Sequence, residues 1–109
     1  MNIIGLDIGG TNIKTGLTRN GRILSLRSLP TRAFLSKDSA VKQVMSAVAP
    51  WADRAQAIGI GSAGIIDSRS GIVKYSPNLG WNNLPLARIL SAKFHKSVRI
   101  LNDVNAVLL

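Results

Sequence analysis

The sequence predicts an α/β domain built on a mixed five-stranded sheet, and three observations carry that prediction. The first is the apolar run Ile3-Ile4-Gly5-Leu6, which passes through Asp7 into the pair Gly9-Gly10, as a buried strand enters a glycine turn. The second is Asn20-Gly21 between two strand-like segments, the signal of a tight antiparallel hairpin. The third is an alternation of helix-period segments with short apolar runs after Ser36, the pattern of crossover units. The expected order is βββ-α-β-α-β, with a further helix begun at the end.

Taken in order, residues 2–8 are nearly all apolar and read as a buried strand. Thr11 to Thr18 alternates, with Ile13 and Leu17 set against Lys14 and Thr18, and reads as a second strand. Ile23 to Leu29 is the third, ended by Pro30. Ser36 to Ser39 supplies helix-starting chemistry, with Asp38 suited to the positive end of the helix dipole. Val41, Val44, Met45 and Val48 recur at helical spacing, so an amphipathic helix is expected to end near Pro50. Ala57 to Gly61 is a short buried strand, and Ile65 to Val73 a small hairpin around a polar turn. Tyr75 to Asn83, rich in Asn, Gly and Pro, reads as a loop. Asn83 is placed to cap a helix with Pro85 early in it and Leu86, Ile89, Leu90 and Phe94 facing inward. Val98 to Leu101 is a last strand with Asn102-Asp103 at its end, and Ala106 to Leu109 begins another helix.

Composition narrows the function classes. Of the 109 residues, 46% are hydrophobic and 17% charged, which excludes a disordered polyelectrolyte. No apolar run approaches the roughly 18 residues of a membrane helix. The N-terminus lacks the basic and apolar regions of a secretory signal, and without cysteine there is no disulfide or thiolate site. A cytoplasmic protein without a membrane partner is expected. The 14 Lys and Arg against five Asp give a net charge of +9, but the basic residues are dispersed. That dispersal argues against nucleic acid as a partner and for a basic lobe that handles phosphates.

Three segments carry chemistry. In Asp7-Ile8-Gly9-Gly10-Thr11-Asn12-Ile13-Lys14, the glycine pair lets backbone N–H groups approach phosphate oxygens. Thr11 adds a hydroxyl, Lys14 a cation, and Asp7 a carboxylate able to hold Mg²⁺. This is no Walker A loop, because the residues after the glycines alternate like a strand. Gly59 to Gly64 satisfies G-x-G-x-x-G, yet no helix is expected after it and no acidic residue stands about 20 positions on. A glycine-rich strand end approached by a ligand fits better than a dinucleotide fingerprint. Asn102-Asp103 stands at a strand end, where ligands sit in α/β folds; Asp103 can take a proton from a hydroxyl and Asn102 can hold another. Taken alone, the same pair reads first as a helix N-cap, and its place in a strand–Asp–helix unit alongside Asp7 reverses that. His95 reads as a solvated helix terminus, Asp53 and Asp67 as turn residues, and Phe34, Trp51, Trp81 and Phe94 as packing residues.

Together these segments resemble the N-terminal lobe of the ROK family of sugar kinases and sugar-responsive repressors, within the RNase H-like fold of the actin and sugar-kinase superfamily. Asp7 to Lys14 looks like the family's first phosphate motif. Gly59 to Asp67 followed by Tyr75-Ser76-Pro77-Asn78-Leu79-Gly80-Trp81 looks like its sugar-side segment, and Asn102 to Ala106 like the motif with its catalytic aspartate. The resemblance implies ATP-dependent phosphorylation of a hexose or N-acylhexosamine, as in glucokinase, fructokinase or N-acylmannosamine kinase. It implies Asp103 as general base, with Gly64, Asn78, Asn102 and Asp103 at the sugar. It also implies Gly9, Gly10 and Thr11 at the phosphates of ATP and Asp7 at Mg²⁺.

The chain departs from the family pattern in two ways. Ala63 stands where members commonly have Pro. A second lobe, which in the family supplies most of the adenosine pocket, further sugar-binding residues and often a Cys/His zinc site, has no counterpart. Residues 1–109 are therefore expected to be the N-terminal RNase H-like lobe of a two-lobed kinase, inactive alone. The expected partners are a small-molecule sugar, ATP, and either another copy of the chain or a missing second lobe. The alternatives are a non-catalytic sugar-binding or docking module, or a ROK-type regulator lacking its DNA-binding domain.

Overall fold

The computed structural model describes residues 1–33 and 35–101. Phe34, the pair Asn102-Asp103 and the helix expected from Ala106 lie outside the described residues.

β1 (Asn2–Ile8), apolar on both faces over most of its length, is central to the main sheet. β2 (Asn12–Arg19) returns antiparallel to it, with Ile8 opposite Ile13, and β3 (Arg22–Pro30) runs antiparallel to β2. The β2–β3 turn is Asn20-Gly21, both with positive φ (52° and 82°), as a twist-matched two-residue hairpin requires. α1 (Lys37–Val48) starts at Ser36, whose side chain accepts from the Ser39 amide at 3.0 Å. A 3₁₀ turn, Ala49–Arg54, continues through Pro50 and buries Trp51. β4 (Ala57–Ser62) then pairs parallel with β1.

Next comes a second, three-stranded sheet: β5 (Ile65–Asp67), β6 (Ile72–Ser76) and β7 (Trp81–Leu84), all antiparallel. α2 (Leu86–Phe94) leads to β8 (Ser97–Leu101), parallel to β4. The main sheet has the order β3-β2-β1-β4-β8, a mixed five-stranded sheet as the sequence predicts.

Register explains the core. Leu6 stands beside Thr15 on β2 and Ile60 on β4, and Ile4 beside Leu17 and Ile58. Thr15 Oγ1 donates to the Ala47 carbonyl at 3.0 Å, so this is the face that α1 covers. Val44, Ala47 and Val48 of α1 and Leu86 and Leu90 of α2 share one buried cluster with these strands. Each such Ile or Leu withdrawn from water contributes about 1.5–3 kcal/mol. The opposite face carries Ile3, Gly5, Asp7, Lys14, Gly16 and Leu26. There Leu26 is 62% exposed although it lies over Gly16, and Ile23 is 51% exposed.

Two expectations need correction. The stretch Tyr75 to Asn83, read as a loop, contains the end of β6 and most of β7. Trp81 is 1% exposed, and its burial beside the β6 ladder outweighs the weak strand preference of Asn82 and Asn83. Asn83 therefore does not cap α2. It sits in β7 with a φ of 51°, and Pro85 is the N-cap residue, without a side-chain cap bond. His95 ends α2 in the left-handed conformation and is exposed, in line with a solvated terminus.

Candidate functional site

Where β1 ends, Gly9 N donates to the Asn12 carbonyl at 3.0 Å and closes the turn into β2. A β-carbon on Gly9 would stand 3.1 Å from that same carbonyl, and one on Gly10 would stand 2.9 Å from Cβ of Asn78. A side chain at either position would press on a neighbouring turn, so glycine keeps this half-buried backbone closely packed without side-chain hindrance to an approaching anion.

Two further loops meet this turn. After β4, Ala63 N donates to the Ile8 carbonyl at 3.4 Å, which ties the corner holding Gly64 to the end of β1. Gly64 has a φ of 108°, and a β-carbon on it would overlap the Tyr75 carbonyl oxygen. The run Gly59 to Gly64 is therefore a strand end and a corner leading to another strand, with no helix after it. Between β6 and β7 a tight turn carries Asn78: Leu79 N donates to the Ser76 carbonyl and Gly80 N to that of Pro77, each at 3.2 Å. Buried Leu79 and Trp81 anchor this turn while Asn78 stays exposed. A cleft of about 590 Å³ lies between the turns, lined among others by Gly10, Thr11, Asn12, Pro30, Pro77 and Asn78.

Gly10, Thr11 and Asn78, expected from different segments, thus share one cleft. Asp7 and Lys14 do not line it. They are cross-strand partners on the sheet face away from α1, beside Gly61 of β4, with Asp7 half-buried and Lys14 exposed. β8 ends with Leu101 paired to Gly61, at the same end of the sheet where β1 enters Gly9 and β4 enters the Gly64 corner. The next two residues, Asn102 and Asp103, lie outside the described residues.

The donor set fits a magnesium-bound phosphate better than a protein-caged metal. Among the described residues no group of three or more His, Cys, Asp or Glu comes together. One carboxylate near an open glycine turn suits Mg²⁺, which keeps waters and takes further oxygens from phosphates.

Two residues beside the site escape a reading by motif. Thr31 is 0% exposed; its amide donates to the Thr11 carbonyl and its hydroxyl to the Gly9 carbonyl, both at 2.8 Å. The signal in the sequence is register: pairing of Asn12 with Pro30 sets Thr31 opposite Thr11. Ser76, beneath the Gly64 corner, is buried with no hydrogen-bond partner for Oγ among the described residues. No sequence signal marks it. At the polar turn, Asp67 Oδ1 accepts from the amides of Arg69 (3.2 Å) and Ser70 (3.4 Å). Bonds from Ser70, side chain first, then its amide, hold the Asp67 carboxyl below the usual value.

The profile of the ROK family matches residues 3–109. The chain is 35% identical to a glucokinase of Thermotoga maritima over 113 aligned positions, covering 100% of this chain and 36% of that protein. It is 29% identical to an N-acetylmannosamine kinase of Vibrio vulnificus, covering 97% of this chain and 36% of that one. Among solved structures it resembles a ROK family glucokinase from Streptomyces griseus in complex with glucose and AMPPNP, at a TM-score of 0.86 and 34% identity. That likeness covers 97% of this chain and 34% of the other. The chain spans about a third of the length of the curated relatives it matches. An RNase H-like sheet ending in a glycine turn, joined to a match along nearly its whole length, means that this chain belongs to the ROK family.

Proposed function

We propose that residues 1–109 are the N-terminal lobe of an ATP-dependent sugar kinase acting on a hydroxyl of a hexose or N-acylhexosamine, and that this lobe alone turns over negligibly. The observation that carries the reading is the cleft in which Gly10 and Thr11 face Asn78. A phosphate-facing turn and a sugar-facing loop in one cavity are what transfer between the two substrates needs. The glucokinase and N-acetylmannosamine kinase relatives support the acceptor class, and the glucokinase complex with AMPPNP supports ATP as donor.

In this reading Asp103 takes the proton of the acceptor hydroxyl as the sugar oxygen bonds the γ-phosphorus of ATP and the bond from that phosphorus to the β–γ bridging oxygen breaks, releasing ADP. Asn102, Asn78 and the Gly64 backbone orient the sugar. The amide of Gly10 and the hydroxyl of Thr11 hold phosphate oxygens beside Gly9, whose own amide closes the turn on the Asn12 carbonyl; Lys14 adds positive potential, and Asp7 would hold Mg²⁺. When bound, Mg²⁺ neutralises charge on the phosphates. Copies of the lobe associate through the open sheet face bearing Ile23 and Leu26. A strictly monomeric sedimentation profile at high concentration would contradict that part.

The test uses amide spectra of the chain titrated with glucose, N-acetylmannosamine and MgATP. Responses at Gly9 to Thr11 with MgATP and at Asn78 with a sugar are expected. Sugar binding indifferent to nucleotide would favour a non-catalytic module, and silence at both loops would mark the lone lobe as a mere fragment that binds neither ligand by itself. In a protein carrying both lobes, Asp103→Asn should lower turnover by roughly 10²–10⁴-fold and leave sugar affinity nearly intact. Near-normal turnover would refute Asp103 as base.

A further inference from the structure

We propose that Thr31 is a positioning residue for phosphate binding: from beneath the turn it holds the Gly9–Gly10 peptide so that the Gly10 N–H faces away from the core, toward the ligand side. The inference rests on the phosphate-binding role proposed for that turn. Thr31 uses both of its donors on the same turn, its hydroxyl on the Gly9 carbonyl and its amide on the Thr11 carbonyl, each at 2.8 Å. A trans peptide unit points its C=O and N–H in opposite directions. Drawing the Gly9 carbonyl inward to the Thr31 hydroxyl therefore turns the Gly10 N–H outward. Glycine on both sides of that peptide leaves it free to rotate, so an outward donor has to be imposed by something else.

Thr31 is itself held rigidly. It is 0% exposed, and the carbonyl of Pro30 just before it accepts from Gln43 Nε2 of α1 at 2.7 Å. Arg32 just after it turns the chain away with a φ of 61°. The hydroxyl thus transmits the position of β3 and α1 to the turn without touching a ligand. A donor fixed before binding costs no ordering when an anion arrives.

The experiment compares Thr31→Val, Thr31→Ser and, as a control, Thr15→Val, which deletes a buried hydroxyl bonded to Ala47 away from the turn. Two readouts are taken on the whole chain: hydrogen exchange, without ligand, of the Gly9 amide bonded to the Asn12 carbonyl, and the Gly10 amide shift on adding MgATP. Thr31→Val is expected to quicken exchange about tenfold or more and to weaken the MgATP response about tenfold. Thr31→Ser should restore both, and Thr15→Val should change neither. Unchanged exchange and response in Thr31→Val, or the same changes in Thr15→Val, would overturn the proposal alone. No MgATP response at Gly10 in the wild-type chain would overturn the phosphate reading of the turn and this proposal with it. Should Thr31→Val not fold, the wild-type hydroxyl proton of Thr31 decides: a slowly exchanging resonance, slowed further by MgATP, supports the proposal, and an unprotected one overturns it.

Discussion

Gly10 and Asn78 lie so close that a β-carbon on the glycine would stand 2.9 Å from Cβ of the asparagine. This contact joins the turn after β1 to the turn between β6 and β7, and so joins the main sheet to the small one. Gly10→Ala should cost about 1–3 kcal/mol, because one of the two turns must yield. Asn78→Gly removes the opposing atom, so the double variant should recover most of that loss. A double-mutant cycle by denaturant unfolding measures the coupling, expected between about 0.5 and 3 kcal/mol. Additive losses would mean that the turns accommodate each other freely.

Gly64 is the stricter position. Its φ of 108° lies beyond the region that Asn20 and Asn83 occupy near 50°, and the Tyr75 carbonyl fills the space a side chain needs. Gly64→Ala should destabilise by roughly 2–5 kcal/mol, combining backbone strain with overpacking against main chain. Thermal or denaturant midpoints check this, and a loss under about 1 kcal/mol would show that the corner relaxes.

Ser76 predicts the opposite sign. Its hydroxyl is buried without a partner among the described residues, so folding removes it from water with no bond in return. Ser76→Ala should leave stability unchanged or raise it by up to about 1 kcal/mol. A clear loss in a urea titration would mean that the hydroxyl bonds something outside the described residues.

Asp67 makes stability depend on pH in a defined window. Its carboxyl titrates below the ordinary 3.8 because Ser70 and Arg69 donate to the ionised form. Between the folded and unfolded values the unfolded chain binds more protons, so stability rises with pH there. The contribution is present above 3.8 and is lost as pH falls through the lower folded value. Asp67→Asn should flatten this part of the curve, and carboxyl shifts tracked by NMR should report a midpoint under 3.8. An unshifted midpoint would contradict the turn geometry.

The fold was legible where pattern and local chemistry agree. Ile13 and Leu17 in alternation, Asn20-Gly21 at the hairpin and the Val44–Val48 spacing each determine an element with little help from elsewhere. β7 was not legible, because its two asparagines favour turns and only burial of Trp81 against β6 makes it a strand. The glycine turn at Gly9 and Gly10 could be singled out from glycine chemistry, and Asn78 only from the family resemblance; their binding roles belong to the proposal. The meeting of Gly10 with Asn78 could not be read, since their spacing comes from packing between two sheets. Thr31 shows the same limit, since register sets its amide opposite Thr11, twenty residues earlier, and only then does its hydroxyl reach the Gly9 carbonyl.

The parallel ladder through β1, β4 and β8 has an evolutionary consequence. Strand register moves in whole residues, and a shift that keeps the same side chains facing the core must be two residues, roughly 6–7 Å. Distances between the loops at the strand ends therefore cannot be adjusted gradually by sliding strands. Relatives of this chain that discriminate between ligands must do so by exchanging side chains or altering turns on a frame of constant spacing.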